Sequence, residues 1–265
     1  MTAPLRHNAD SLQKLLFLAG KGVPTTYTPM VLRGVSRPVT SAGAVARANA
    51  GELVGVVLCQ LKREGAPISH NGGYGDVFDM RTMTGAYTGP ESHGVRAAMG
   101  PFYGLAVFGL GGASDSKLPD EQAATEAALT LANKTLAGVN LVHDVGYLES
   151  GMCCSLQMLA ICDELISHIR RYAGGIEVSD ETLALDLIAE LGHEGDCLAT
   201  EHTAAHYRRD WYPRLFNRDR YDGWAGEGGR SLGQRARRRV EEILEGHKPE
   251  PLDGLIRWQL DDLLG

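Results

Sequence analysis

Phe102-Tyr-Gly-Leu-Ala-Val-Phe-Gly-Leu-Gly-Gly-Ala-Ser-Asp-Ser-Lys-Leu-Pro-Asp-Glu-Gln122 carries the reading of the fold. Leu105, Ala106, Val107 and Phe108 form a short continuous apolar run, which suits a parallel strand covered on both faces. Gly109, Gly111 and Gly112 then allow a sharp bend or a close approach, and Ser114, Asp115, Ser116 and Lys117 supply donors, acceptors and both signs of charge. Pro119 suits a first helical position, and Asp120 and Glu121 suit the positive end of a helix dipole. The order is strand, polar turn, helix, and in α/β folds the carboxyl ends of the strands are where sites form.

Working outward, the same unit recurs. An amphipathic helix over residues 8–21 (Leu12, Leu15, Leu16, Ala19) stops at Gly20 and Gly22 and leads to a strand at 25–32, made an edge or distorted strand by Pro29. A long helix over 41–63 places Val45, Asn49, Leu53, Val57 and Leu61 four apart, and a strand at 66–71 ends in His70-Asn71-Gly72-Gly73. Residues 74–89 make a loop too long to be a mere connector, either a binding lid or an excursion. A short helix at 90–99 precedes the strand at 104–110, and a helix over 119–136 follows it with a stripe of Ala124, Ala128, Leu131 and Thr135. A fourth strand at 139–145 ends in His143-Asp144. A helix over 155–172, with Leu159, Cys162, Ile166 and Ile169 inward, closes the series.

Four strand-helix units in one direction imply an α/β fold with a parallel sheet and outer helices, either half of a TIM-type (β/α)8 barrel or a small doubly wound sheet. After Gly174-Gly175 the strand period disappears. Ser179-Asp180-Glu181 opens a helix with Leu183, Leu187 and Leu191 on one face, and the rest is helical and charged. The expected division is a partial barrel over 1–175 and a helical extension over 176–265.

Composition narrows the function. A net charge of −7 and a pI near 5.7 leave no basic excess to neutralise phosphates, so nucleic acid is not an expected partner. The basic run Arg235 to Arg239 is followed by Glu241 and Glu242, as on a solvated helix face. The five cysteines, an odd number, show no paired framework, and there is no signal peptide or long apolar span. A cytoplasmic location without a membrane is therefore expected, with Cys153 and Cys154 as buried small side chains.

Candidate site residues stand at the strand ends: Tyr27, His70, Asn71, Asp115, Ser116, Lys117, His143, Asp144 and Glu149. Gly109-Leu-Gly-Gly-Ala-Ser114 invites a dinucleotide reading. Against it, five residues intervene before the helix, and the acidic residue expected about 20 positions on is absent until Asp144. His70, His143 and Glu149 lack metal-ligand spacing, so no metal is expected. Lys117 as a Schiff-base nucleophile of a lyase or isomerase is a further possibility.

Longer motifs are more specific. Gly111-Gly-Ala-Ser-Asp-Ser-Lys-Leu-Pro-Asp-Glu-Gln-Ala123, Ala137-Gly-Val-Asn-Leu-Val-His143, Leu148-Glu-Ser-Gly151 and Trp211-Tyr-Pro-Arg-Leu-Phe216, with Pro38-Val-Thr-Ser-Ala-Gly-Ala44 and Pro4-Leu-Arg-His-Asn8, resemble the trimethylamine:corrinoid methyltransferase family. The resemblance implies a (β/α)8 barrel that moves a methyl group from a methylated amine to the cobalt of a separate corrinoid protein, with no cofactor held tightly by the chain itself. It covers only the carboxyl-terminal part of such proteins, which are close to twice as long. The turn at Gly111 has standard residues only, so the likeness is to the branch lacking pyrrolysine, which acts on quaternary amines such as glycine betaine.

On that reading His70, Asp115, His143 and Glu149 are the catalytic candidates. Tyr27, Asn71, Tyr103, Gly111, Gly112, Ser114, Lys117 and Tyr147 are the substrate-binding candidates, with Tyr74, Tyr87 and Phe102 as further aromatic faces for a cation. The rival reading is a non-catalytic subunit or remnant that binds a partner chain. Either way a half-barrel would expose an inner face carrying residues such as Ile68, Leu105, Val107, Leu141 and Val31. A second copy or a separate amino-terminal half is therefore expected to cover it.

Overall fold

The computed structural model describes residues 5–29, 32–71, 77–89 and 97–264. Its centre is a curled sheet of four parallel strands, β1 (Thr25–Thr26), β2 (Ile68–Asn71), β5 (Val107–Leu110) and β6 (Leu141–His143), in the spatial order β1-β2-β5-β6. Thr25 pairs with Ile68, His70 with Val107, and Leu110 with His143. This is the parallel half-barrel the strand-helix alternation implies. Each strand is shorter than its apolar run, because the polar ends peel into loops; β6 stops where Asp144 turns to a φ of 65°. Met30 and Val31 lie outside the described residues, as do Gly72, Gly73, Tyr74 and residues 90–96 of the expected short helix.

Helices α1 (Ala9–Lys21), α2 (Ser41–Lys62), α3 (Met99–Phe102), α4 (Glu121–Leu136) and α5 (Leu156–Ala173) accompany the strands. Their ends follow local chemistry. Asn8 accepts from the Asp10 and Ser11 amides, Gly22 closes α1 in the left-handed region, Asp120 accepts from the Ala123 amide and Ser155 from that of Met158. Asp120 is thus the cap of α4, and Pro119 stands just outside the helix.

The faces that pack differ from the stripes counted along the sequence. In α2 the buried side is Ala44, Ala48, Gly51, Glu52, Gly55 and Cys59, whereas Val57 and Leu61 of the expected stripe are 55 % and 79 % exposed. Close approach decides this. A Cβ at Gly55 would run into the Tyr27 side chain, so the small-residue side faces the sheet and the larger residues turn outward. In α4 the buried set is Ala123, Ala127, Thr130, Leu131 and Lys134, one position round from the expected stripe. In α5 Met158, Ile161, Cys162 and Glu164 are buried, while Leu159 is half exposed. The most apolar 18-residue window of α2 has a mean hydropathy of 1.3, long and apolar enough to cross a membrane. Its buried side nevertheless lies on the β1–β2 layer of this fold and includes a carboxylate.

After α5 come α6 (Asp180–Leu183), α7 (Leu185–Leu191), α8 (Glu201–His206), α9 (Tyr221–Gly226), α10 (Leu232–Gly246) and α11 (Gly254–Leu264), with no strand among the described residues. The expected single helix with Leu183, Leu187 and Leu191 on one face is broken at Ala184, whose φ is 48°. The extension shares its core with the barrel. Leu215 and Ala236 pack with Leu131, Leu148, Met158, Ile161 and Cys162. The buried Glu164 carboxylate accepts the amides of Arg214, Leu215 and Phe216 at 2.9, 3.0 and 3.1 Å, which fixes the Trp-Tyr-Pro-Arg-Leu-Phe segment to α5. Arg237 and Arg238 pair with Glu241 and Glu242 on the exposed side of α10, as the sequence suggests. Arg235 instead reaches inward to the Leu215 carbonyl.

Cys153 and Cys154 are exposed, contrary to expectation. They form β8 (Cys153–Cys154), which pairs with β7 (Tyr147–Leu148) in a small two-stranded hairpin apart from the four-stranded sheet.

Candidate active site

Strand alternation divides the sheet residues between two faces. His70 faces the helices: its Nε2 lies 2.9 Å from Glu52 Oε2 and 3.2 Å from Asn49 Oδ1, and its ring stacks on Tyr103 at 6.2 Å. The Tyr103 hydroxyl accepts from Asn49 Nδ2. Tyr27 lies in the same outer layer, packed with Leu15, Ala19, Cys59 and Ala66, its hydroxyl 2.8 Å from His7 Nδ1. Burial pushes the Tyr27 phenol upward from its ordinary pKa. The structure therefore gathers Tyr27 and His70 between sheet and helices, with the exposed Tyr103 stacked on His70, and does not bring the three to the barrel mouth. Ile68 and Val107 face the helices too: Ile68 packs against the cluster around Tyr27, and Val107 lies against Gly100 of α3. Asn71, Phe108, Leu110, Leu141 and His143 share the opposite, inner face by register.

The glycine turn after β5 is a packed structure. Gly112 has a φ of 75°, its amide donates to Thr130 Oγ1 at 3.0 Å, and a Cβ there would press on the Val145 backbone. A Cβ at Gly111 would in turn press on the Val142 side chain at 3.0 Å. The loop's donors are collected by Glu126 of α4: the Ser114 hydroxyl at 2.6 Å and the Asp115 amide at 2.9 Å reach the same carboxylate oxygen. The Ser116 amide donates to Ser114 Oγ, and the Ser116 hydroxyl donates to Asp120. Together with the Ala123 amide, that hydroxyl holds the Asp120 carboxyl below its ordinary pKa. A turn whose N–H groups serve a carboxylate is not a phosphate cradle, which agrees with setting the dinucleotide reading aside. Lys117 is exposed, its ammonium donating to the Asp115 carbonyl at 2.8 Å.

Over this turn lies the excursion between β2 and α3. Its hairpin, β3 (Phe78–Asp79) and β4 (Thr84–Gly85), is followed by Tyr87, which packs on Leu110 and Ala113. The Asp115 carboxylate accepts from the Tyr87 amide (2.9 Å), the Thr88 amide (3.2 Å), the Thr88 hydroxyl (2.8 Å) and the Ser150 hydroxyl (2.9 Å). The Tyr87 hydroxyl donates to Asp144 Oδ2 at 3.3 Å. Asp144 Oδ1 lies 2.9 Å from His143 Nδ1, and the His143 ring lies flat on Phe108, centroids 4.3 Å apart and 12° from parallel. Beyond β7, Glu149, Ser150 and Gly151 all have positive φ, at 50°, 54° and 84°. Two successive non-glycine residues in that region are strained. The Glu149 amide is tied to the Ser116 carbonyl at 2.8 Å, and the Glu149 side chain is exposed. Tyr147, partly exposed, accepts the Ser114 amide on its carbonyl.

The structure thus brings Gly111, Gly112, Ser114, Asp115, Lys117, His143, Tyr147 and Glu149 into one loop cluster, with Asn71 beside Phe108 on the inner face. Sequence reading missed Glu126, Thr88, Phe108 and Ser150. For Glu126 a signal existed, an acid one turn into a helix behind a loop full of amides; for Phe108 there was none, since the strand is apolar throughout.

The geometry defines a class: a (β/α) half-barrel with an aromatic and acidic mouth at the carboxyl ends of its strands. Comparison with known proteins sharpens it. The family model of trimethylamine methyltransferase matches residues 1–264, and the chain belongs to that family. It is 34 % identical over 266 residues to trimethylamine methyltransferase MttB of Desulfitobacterium hafniense (strain DSM 10664 / DCB-2), covering 99 % of this chain and 53 % of that protein. It is 34 % identical to MttB of Methanosarcina thermophila over 96 % of this chain and 53 % of that one. With the glycine betaine methyltransferase of Desulfitobacterium hafniense (strain Y51) it shares 32 % identity over 97 % of this chain and 54 % of the relative. The chain spans about half the length of these curated relatives.

Proposed function

We propose that this chain forms the substrate-binding half of a methyltransferase that takes a methyl group from a quaternary or tertiary methylated amine, glycine betaine-like, to the Co(I) of a corrinoid carried by a separate protein. The observation that carries it is the mouth itself, where the Phe108–His143 stack offers aromatic surface beside the Asp144 carboxylate, with the exposed Glu149 side chain on the loop that follows. Aromatic faces with nearby negative charge suit a bulky organic cation.

The corrinoid supplies the nucleophile, on its own protein. What this chain's residues do is hold and aim. The carbon–nitrogen bond breaks as the methyl's bond to the nucleophile forms. A quaternary ammonium then departs as a neutral tertiary amine with no proton to move, so for that substrate His143, oriented by Asp144, serves as a wall, whereas a tertiary amine must gain a proton to depart as a neutral secondary amine. The hydrogen-bonding inner-face residue Asn71 and the exposed Lys117 ammonium are the groups suited to a substrate carboxylate.

The barrel must be completed. The chain exposes 17236 Å², against about 11,300 Å² for a compact monomer of 28.5 kDa. Leu141 and Val142 of the edge strand are 57 % and 36 % exposed. An apolar groove of about 900 Å³ between α5 and α10, lined by Leu156, Leu159, Val240, Ile243 and Leu244 among others, is open as well. A second copy or an amino-terminal half covers these surfaces, and a subunit lacking turnover of its own is the second reading they favour. The test is methyl transfer to a Co(I) corrinoid protein from glycine betaine and trimethylamine, by the chain alone and by the chain with an amino-terminal half. Transfer to cobalt from either amine supports the proposal, and no transfer from any methylated amine by the completed protein sinks it.

A further inference from the structure

Asp115 stands at the meeting point of three segments, and its hydrogen bonds leave it nothing to offer a substrate. One carboxylate oxygen takes the Ser150 hydroxyl, the other takes the Thr88 amide and hydroxyl, and the Tyr87 amide lies within reach of both. Four donors from two distant loops converge on one side chain. Through Thr88 and Tyr87 it holds the excursion down on the inner face, where Tyr87 covers Leu110 and Ala113. Through Ser150 it holds the turn Glu149–Gly151 in its left-handed conformation, which the neighbouring Ser116 carbonyl also grips by the Glu149 amide. Such a turn does not persist without outside support. With it, the exposed Glu149 is held in one place on the loop that follows His143-Asp144.

We infer that Asp115 is a positioning residue that fixes the Glu149–Gly151 turn against the Tyr87–Thr88 segment, so that the Glu149 carboxylate meets the cationic end of the substrate. The second half of this statement rests on the amine-binding reading above; the first does not. Glu149 is then the specificity group, selecting a permanent cation over a neutral compound of the same shape, and Asp115 acts only through it.

Two measurements on the completed protein separate these parts. In Asp115→Asn one acceptor oxygen becomes an NH2 that faces donors. Amide exchange at Tyr87, Thr88 and residues 149–152 is expected to rise at least about tenfold, with the amides of Ile161 and Cys162 in α5 unchanged. Unchanged exchange in both loops overturns the positioning role, and a uniform rise that includes α5 shows ordinary destabilisation and overturns it as well. Binding is read with tetramethylammonium and with its neutral carbon isostere, neopentane. Glu149→Gln is expected to weaken the cation on the order of tenfold and leave the isostere unaffected. Asp115→Asn should weaken the cation similarly, and the double variant should be no weaker than Glu149→Gln alone. Additive losses would mean that Asp115 acts on the ligand independently, against the inference. If the unaltered protein binds no tetramethylammonium, the amine reading and the role of Glu149 fall together, while the exchange result still decides the role of Asp115.

Discussion

At the scale of single residues, glycines with positive φ separate backbone conformation from crowding. Gly138 has a φ of 72° with open space where a Cβ would go, and Gly151 has a φ of 84° with the Tyr87 hydroxyl in that place. Gly138→Ala should cost about 1 kcal/mol, the price of the left-handed conformation alone. Gly151→Ala should cost about 2–3 kcal/mol and loosen Tyr87 from Leu110 as well. Chemical denaturation of both variants checks this, and equal losses would show that Gly151 is not crowded by Tyr87. The Cys162 thiol is pushed up to about 11 by burial, whereas Cys153 and Cys154 are exposed. A thiol reagent at about pH 8 is expected to modify this pair and the likewise exposed Cys197, and to leave Cys162 untouched until the protein unfolds.

At the scale of elements, two carboxylates serve as pins. Glu164 of α5 accepts three backbone amides from the segment leading to α9, and each would be left without its acceptor in Glu164→Ala. The expected loss is about 3–4 kcal/mol, accompanied by release of residues 211–216, observed as new proteolytic cleavage there. In the β3–β4 hairpin the Arg81 guanidinium holds the Asp79 carboxyl down to about 2, from an ordinary 3.8. A depressed carboxyl contributes stability that is present above its unfolded pKa and lost as the pH falls through the folded one. The contribution of this exposed pair to the hairpin, small for its exposure, should therefore be full above pH 3.8 and decline as the pH falls toward 2. Titration of the Asp79 carboxyl by NMR tests the sign: a midpoint above 3.8 contradicts it.

At the scale of the whole molecule, the open inner face and groove predict assembly. Four strands with helices on one side leave Leu141 of the inner face and the α5–α10 groove uncovered, and α11 adds exposed Leu255, Ile256 and Trp258. Burying a handful of such side chains is worth about 1.5–3 kcal/mol each, which together rivals the net stability of a domain. Sedimentation of the chain at micromolar concentration should show a dimer or an aggregating species, resolved to a defined complex when an amino-terminal half is supplied. A compact monomer with a cooperative melt would contradict this.

The amino-acid sequence by itself determined the direction and order of the four strand-helix units, the helices that begin near Asn8 and Ser155, and the family, because apolar runs, glycine stops and long motifs are local signals. Only the tertiary structure decided which side of each element is inside. A strand covered on both faces is apolar throughout, so nothing in its composition tells that His70 turns toward Glu52 on α2 while His143, two strands away, turns inward onto Phe108. In α2 the small residues won the sheet because Gly55 lets the helix approach Tyr27, an effect of distance that a count of apolar side chains does not register. Asp115 is the same case at the mouth. Its residue type and place suggest chemistry, but two loops remote in sequence fold onto it and engage both of its oxygens.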